Sequence, residues 1–148
     1  MKEAKSKSLI LKQMMEIVNE KLLLSKGQIT SINQSKSSAT KSTAGDKHET
    51  SRSMLQIELD KQNLILQHLL KQKFDIQKVQ KTKVKNVVGF GSWVETNQGN
   101  YFISVAIGKI ASTFCISLAS PLGKSLSGLK TGESVYFKDK EYKIKSLQ

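Results

Sequence analysis

The sequence predicts an α+β protein in two parts: an antiparallel α-helical hairpin over residues 1–80 and a small β-rich domain over residues 81–148. Two observations carry this. Apolar residues recur at helical spacing in two proline-free stretches of the first half. After Val79 the period changes to short β-branched and aromatic runs broken by glycine and asparagine. The chain has 148 residues, 38% of them hydrophobic, which supports a modest core and no large enclosed pocket.

The first helix is expected from Lys2 to about Leu24, where Leu11, Met15, Val18 and Leu22 form one stripe and Ile10, Met14, Ile17 and Leu24 a neighbouring one. The second is expected from about Thr50 to Val79, with Leu55, Leu59, Leu66, Leu70 and Phe74 on one side. Between them, nine of the twenty-one residues 25–45 are Ser or Thr, which are mediocre helix formers. That stretch reads either as a flexible linker or as the solvated distal arm of a hairpin, poorly held by any core. Two arms of about thirty residues would measure roughly 45 Å at the helical rise.

The β-rich half divides into VKNVVGF, SWVETN, NYFISVAI, FCISLAS, SVYFKD and EYKIKSL, with turns at Gly91, Asn97–Gly99, Gly108, Gly132 and Lys138–Lys140. PLGKSLSGLK, residues 121–130, suits a short helix with Pro121 in its first turn. Trp93, Tyr101, Phe102, Phe114, Tyr136, Phe137 and Tyr142 fall on these strands, where a small domain needs them as core more than as base-stacking platforms.

Charge narrows the partners without naming one. The formal charge is +12, with fourteen Lys/Arg against eight acids in residues 1–80 and ten against four in 81–148. Such a surface favours polyanions or an acidic protein face. No apolar run reaches the roughly 20 residues of a membrane span, so no membrane partner is expected. The apolar start is broken by Lys12 and Gln13 and lacks a small-residue cleavage site, so it reads as helix in a cytoplasmic protein. Cys115 is the single cysteine, set in an apolar run, and reads as a buried small hydrophobe. No nucleophile–base pair, P-loop or dinucleotide fingerprint is present.

The segment that carries chemistry is AGDKHETSR, residues 44–52. Asp46 and Glu49 are three apart, which brings both carboxylates to one side of a turn or helix start. Two such oxygen donors help hold a Mg²⁺ whose remaining ligands come from a partner and its substrate. The same spacing is that of a capping box, with Asp46 as N-cap and Glu49 at N3, and the two roles are compatible. Lys41, Lys47, His48 and Arg52 surround the acids, either to meet RNA phosphate or as solvated charges offsetting them. His48 has no close histidine companion, which speaks against histidine metal ligation.

AGDKHETSRSMLQIELDKQ resembles the tip of the Gre transcript-cleavage factors, where Gly-Asp-x-x-Glu-Asn joins the helices of a long coiled coil. SPLGKSLSGLKTGESV, residues 120–135, resembles that family's C-terminal signature, and VGFGSWVET and YKIKSL resemble its first and last C-terminal strands. The resemblance implies an FKBP-like C-terminal domain that binds RNA polymerase, through Ser120, Pro121, Leu122, Gly123 and Lys124. It also implies a monomer whose hairpin enters the polymerase's secondary channel. Asp46 and Glu49 would then help place the second Mg²⁺ and the attacking water at the 3′ end of backtracked RNA. The factor would have no cofactor and no nuclease activity of its own.

Departures from the pattern are Thr50 in place of Asn, Arg52-Ser53 in place of Glu-Tyr, and Glu133 in place of the turn Asp. They leave open a polymerase-binding regulator or inhibitor of the same shape without cleavage stimulation. The FKBP resemblance raises a peptidyl-prolyl isomerase or chaperone, and the charge a direct RNA- or DNA-binding protein.

Overall fold

The computed structural model describes the backbone of residues 2–40, 45–83 and 85–148, and the side chains of residues 7–38, 49–83 and 85–148. The chain is α+β. Two long helices, α1 (Lys2–Thr40) and α2 (Gly45–Lys81), precede β1 (Trp93–Thr96), β2 (Gly99–Ser104), β3 (Gly108–Ile110) and β4 (Thr113–Ser117). A short helix α3 (Pro121–Leu126) and strands β5 (Ser134–Phe137) and β6 (Lys140–Leu147) complete it. Two compact units result: Met1–Glu16 with Phe74–Gln148, and Ile17–Lys73. No described helix is long and apolar enough to cross a membrane.

The first unit holds a six-stranded sheet in the order β3-β4-β2-β1-β6-β5, antiparallel except for β2 beside β4. Strand alternation gives it two apolar faces. On one, Val94, Tyr101, Ile103, Tyr142 and Ile144 pack with Val88 and with Leu126 of α3. On the other, Phe102 and its register partner Cys115 are almost fully buried. Here the base of α1 makes contact: the Lys7 ammonium lies 5.7 Å from the Phe102 ring centroid and the Ser104 hydroxyl 4.0 Å from Met14 sulfur. Burial pushes the Cys115 thiol up to about 11, as expected of a small core hydrophobe.

Local chemistry sets the strand ends. Lys138 and Asp139, at φ 49° and 66°, form the two-residue turn of the β5–β6 hairpin, matching the strands' twist. Residues 85–90 of VKNVVGF are not a strand; Val88 exchanges backbone bonds with Leu129 and Gly128 at 2.8 Å, and the Gly89 N–H donates to the Ser92 hydroxyl at 3.0 Å. The three-residue β3, too short to read as a period, was missed. Of the seven aromatics expected in the core, Phe114 and Tyr136 are exposed, at 37% and 73%.

The Tyr101 phenol is pushed up to about 12, by burial first and then by the neighbouring Tyr142. An unfolded tyrosine ionises near 10, so between about pH 10 and 12 the unfolded chain sheds a proton that the folded one keeps. Stability therefore falls as pH rises through that window. Urea titrations from pH 9 to 12 should show this loss, reduced in Tyr101→Phe.

The second unit is two antiparallel helices. Their seam buries Val18, Leu22 and Ser25 of α1 against Gln62 and Leu69 of α2. The stripe expected on α2 is corrected here: Leu70 and Phe74 are 45% and 64% exposed, while Leu69, Ile76 and Val79 are buried. Steps of four drift around a helix, and only alternating threes and fours keep one face inward.

The Ser-rich stretch is helical as far as Thr40, which decides between linker and arm. Yet none of the described side chains of residues 26–38 and 49–61 is buried. The arm is crossed by a hydrogen bond from Lys36 to Gln56, which in turn bonds Asp60 at 2.8 Å. Gly27 sits inside α1 with no atom within 4 Å of where a Cβ would stand. Gly27→Ala should therefore stabilise the helix by about 0.5–1 kcal/mol, read as a rise in melting temperature.

Candidate functional site

The candidate tip begins with the first residues of α2. That helix starts at Gly45, so Asp46 and Glu49 lie in its first turns and three residues apart. A helix start presents unpaired backbone N–H groups and the positive end of the dipole, which favours carboxylates there. Glu49 and Arg52 are exposed, and their spacing puts them on one helix face. The side chains of Asp46, Lys47 and His48 fall outside the described ones, and Lys41 lies outside the described residues altogether. Among the described residues no cluster of three or more His, Cys, Asp or Glu could hold a metal. The donors at the tip are hard oxygens, which suit Mg²⁺, but they are too few for a site without outside ligands.

The second candidate group, Ser120–Lys124, is built as a capped helix start. Ser120 is the N-cap: its hydroxyl accepts from the Gly123 N–H at 3.1 Å and donates to the Ser117 carbonyl at 2.6 Å. Pro121 opens the helix with the φ it needs, and Ser127 N–H closes it on the Gly123 carbonyl at 3.0 Å. Gly123 is buried because a Cβ there would stand 2.2 Å from the Ser117 carbonyl oxygen. Leu122 is half-buried against the core cluster. Only Pro121 and Lys124 of the five are exposed.

Glu133, the departure in the following turn, performs the local bond expected of a turn acid, accepting from the Lys130 N–H at 2.8 Å. Gly132 beside it has φ 92°, and the Ile144 N–H bonds the Glu133 carbonyl at 2.9 Å. The turn is thus closed on β6 in spite of the longer acid.

Comparison with known proteins bears on the kinship. The family described as transcription elongation factor, GreA/GreB, C-term matches residues 82–148, from the end of α2 to the last residue. Over these residues the chain is similar to the GreA/GreB family. No match is found among curated proteins. The matched region contains the whole sheet, α3 and the Ser120–Lys124 block. Helices α1 and α2 precede the matched region in the chain. The matched family supports a role in transcription elongation.

Sequence reasoning singled out residues 44–52 and the 120–124 block as candidates. It missed that three of the block's five residues hold the domain together, a fact carried by the Ser-Pro-x-Gly spacing of a capped helix.

Proposed function

We propose that this protein binds RNA polymerase, enters its secondary channel with the hairpin tip, and stimulates hydrolysis of backtracked RNA. The observation that carries the reading is the pair Asp46 and Glu49, three apart at the start of α2, in a chain whose other half matches the GreA/GreB C-terminal family. The FKBP-like domain would dock on the polymerase, with Pro121 and Lys124 as the outward residues of the 120–124 block.

In the channel, Asp46 and Glu49 add negative oxygens beside the active centre and hold the attacking water in line with a phosphodiester near the RNA 3′ end. Mg²⁺ belonging to the polymerase supplies Lewis acidity and lowers the pKa of bound water. The chain contributes position and charge, so the nuclease activity is the polymerase's own. Lys41, Lys47, His48 and Arg52 would meet RNA phosphate or the channel wall, giving salt-dependent binding.

A second reading has its own observation. Thr50 and Arg52-Ser53 stand where the family carries Asn and Glu-Tyr, which favours a polymerase-binding regulator without cleavage stimulation. Stalled, backtracked complexes incubated with purified protein separate the two. Shortened RNA and renewed elongation support cleavage stimulation; binding with RNA of unchanged length supports the regulator.

A further inference from the structure

In the arm of the hairpin, Ile29, Ile32, Leu55 and Leu59 are half-buried, and no described side chain of residues 26–38 and 49–61 is buried. Apolar packing grips the two helices loosely there. A polar contact between them therefore weighs more than it would beside a filled core. One such contact crosses from α1 to α2. The Lys36 ammonium donates to Gln56 Oε1, and Gln56 Nε2 donates to Asp60 Oδ1 at 2.8 Å. Lys36 and Gln56 each lie ten residues from Asp46 along the chain, one on either side, so the link joins antiparallel helices at matching heights. All of these residues belong to the unit Ile17–Lys73.

The chemistry of the three groups fixes which way the amide points. An ammonium only donates and a carboxylate only accepts. Gln56 stands between them with a neutral side chain that does both, its carbonyl toward Lys36 and its nitrogen toward Asp60. Glutamate at 56 would still accept from Lys36, but it would set a second negative charge against Asp60 one turn away. Methionine has the length and makes neither bond. We propose that Gln56 is a positioning residue. Through the Lys36–Gln56–Asp60 chain it holds the register of α1 against α2 below the tip, and so the direction in which Asp46 and Glu49 are carried.

Glu49 is seven residues from Gln56 on the same helix, about 10 Å at the helical rise, so a slip at the link is felt at the acid. What the acids then do rests on the cleavage reading above; the link itself does not. An exposed polar pair contributes little to global stability. Loss of this one is therefore read locally, in the arm, and not in the seam held by Val18, Leu22 and Leu69 or in the sheet.

Amide hydrogen exchange on the full chain without polymerase tests the link, and cleavage of backtracked RNA tests what it positions. Gln56→Met should raise exchange over residues 49–56 about two- to fivefold, with the melting temperature and the exchange of the sheet unchanged. Gln56→Glu, close in shape, should do the same, which a loss of packing would not produce. Lys36→Glu alone leaves the amide between two acceptors and should also raise exchange. Lys36→Glu with Asp60→Lys reverses the chain, turns the amide round and should return exchange to the wild-type level. In stalled complexes, Gln56→Met should lower the cleavage rate at saturating protein about two- to fivefold, leave the half-saturating concentration within about twofold, and be matched by recovery in the reversed pair. Unchanged exchange in Gln56→Met, or a reversed pair no better than Lys36→Glu alone, overturns the proposal. So does a wild-type cleavage rate in Gln56→Met. The exchange pattern in a protein that never shortens RNA supports the link and overturns the cleavage reading alone.

Discussion

Asp46→Asn is expected to abolish RNA shortening in backtracked complexes while leaving polymerase binding nearly unchanged. Glu49→Gln is expected to do the same. Each substitution keeps size and hydrogen-bonding capacity and removes one negative charge. The helix survives it: loss of one acid at a helix start costs a few tenths to about 1 kcal/mol, small beside the stability of a packed domain. Catalysis has no such margin. A charge aimed at a metal and its water in a site closed to bulk solvent is worth several kcal/mol of barrier, so the rate should fall by on the order of a hundredfold or more. Cleavage products resolved over time, beside a binding titration of each variant, check both halves. If cleavage is lost together with binding, the acids serve docking instead.

Gly123→Ala is expected to have the largest effect on folding. The added carbon would stand 2.2 Å from the Ser117 carbonyl oxygen, 2.9 Å from the Ser120 hydroxyl and 3.1 Å from the Leu118 Cα. Two of these are backbone atoms. The Ser117 carbonyl accepts from the Ser120 N–H at 3.0 Å and from its hydroxyl at 2.6 Å, so it cannot retreat without giving up both. Relief requires moving α3, and with it the fully buried Leu126. A loss of about 3 kcal/mol or more follows, in the class of steric clashes in a packed interior. Ser120→Ala, which removes only the cap, should cost about 1 kcal/mol. Chemical denaturation of the two variants beside the wild type measures the order.

The sequence spoke most clearly where one local rule decides the structure. Pro121 in a first turn pointed to α3, and the Lys138–Lys140 turn to the β5–β6 hairpin. The likeness to GreA/GreB was legible in the 120–135 block. What stayed hidden depends on neighbours distant in the chain. Whether Leu69 or Leu70 faces inward is set by the opposing helix, because both belong to a broad apolar stripe. Phe114 is left exposed with the Lys109 ammonium 5.5 Å from its ring centroid, an outcome of strand order that alternation cannot foretell. Residues 26–38 became helix despite their serines, for a long helix costs little to extend once nucleated.

That arm, with no buried side chain among the described ones, separates two properties that most protein segments must satisfy together. An exposed position there, unlike the half-buried Ile29, Ile32, Leu55 and Leu59, is not bound by volume or polarity, so substitution at it is judged almost entirely by what the arm meets. Apart from Lys36, which bonds Gln56, exposed lysines can be exchanged for acids, or exposed serines for asparagines, with the folding equilibrium barely disturbed. The distal hairpin is thus the part of this molecule whose recognition chemistry can be retuned most cheaply, by selection or by design.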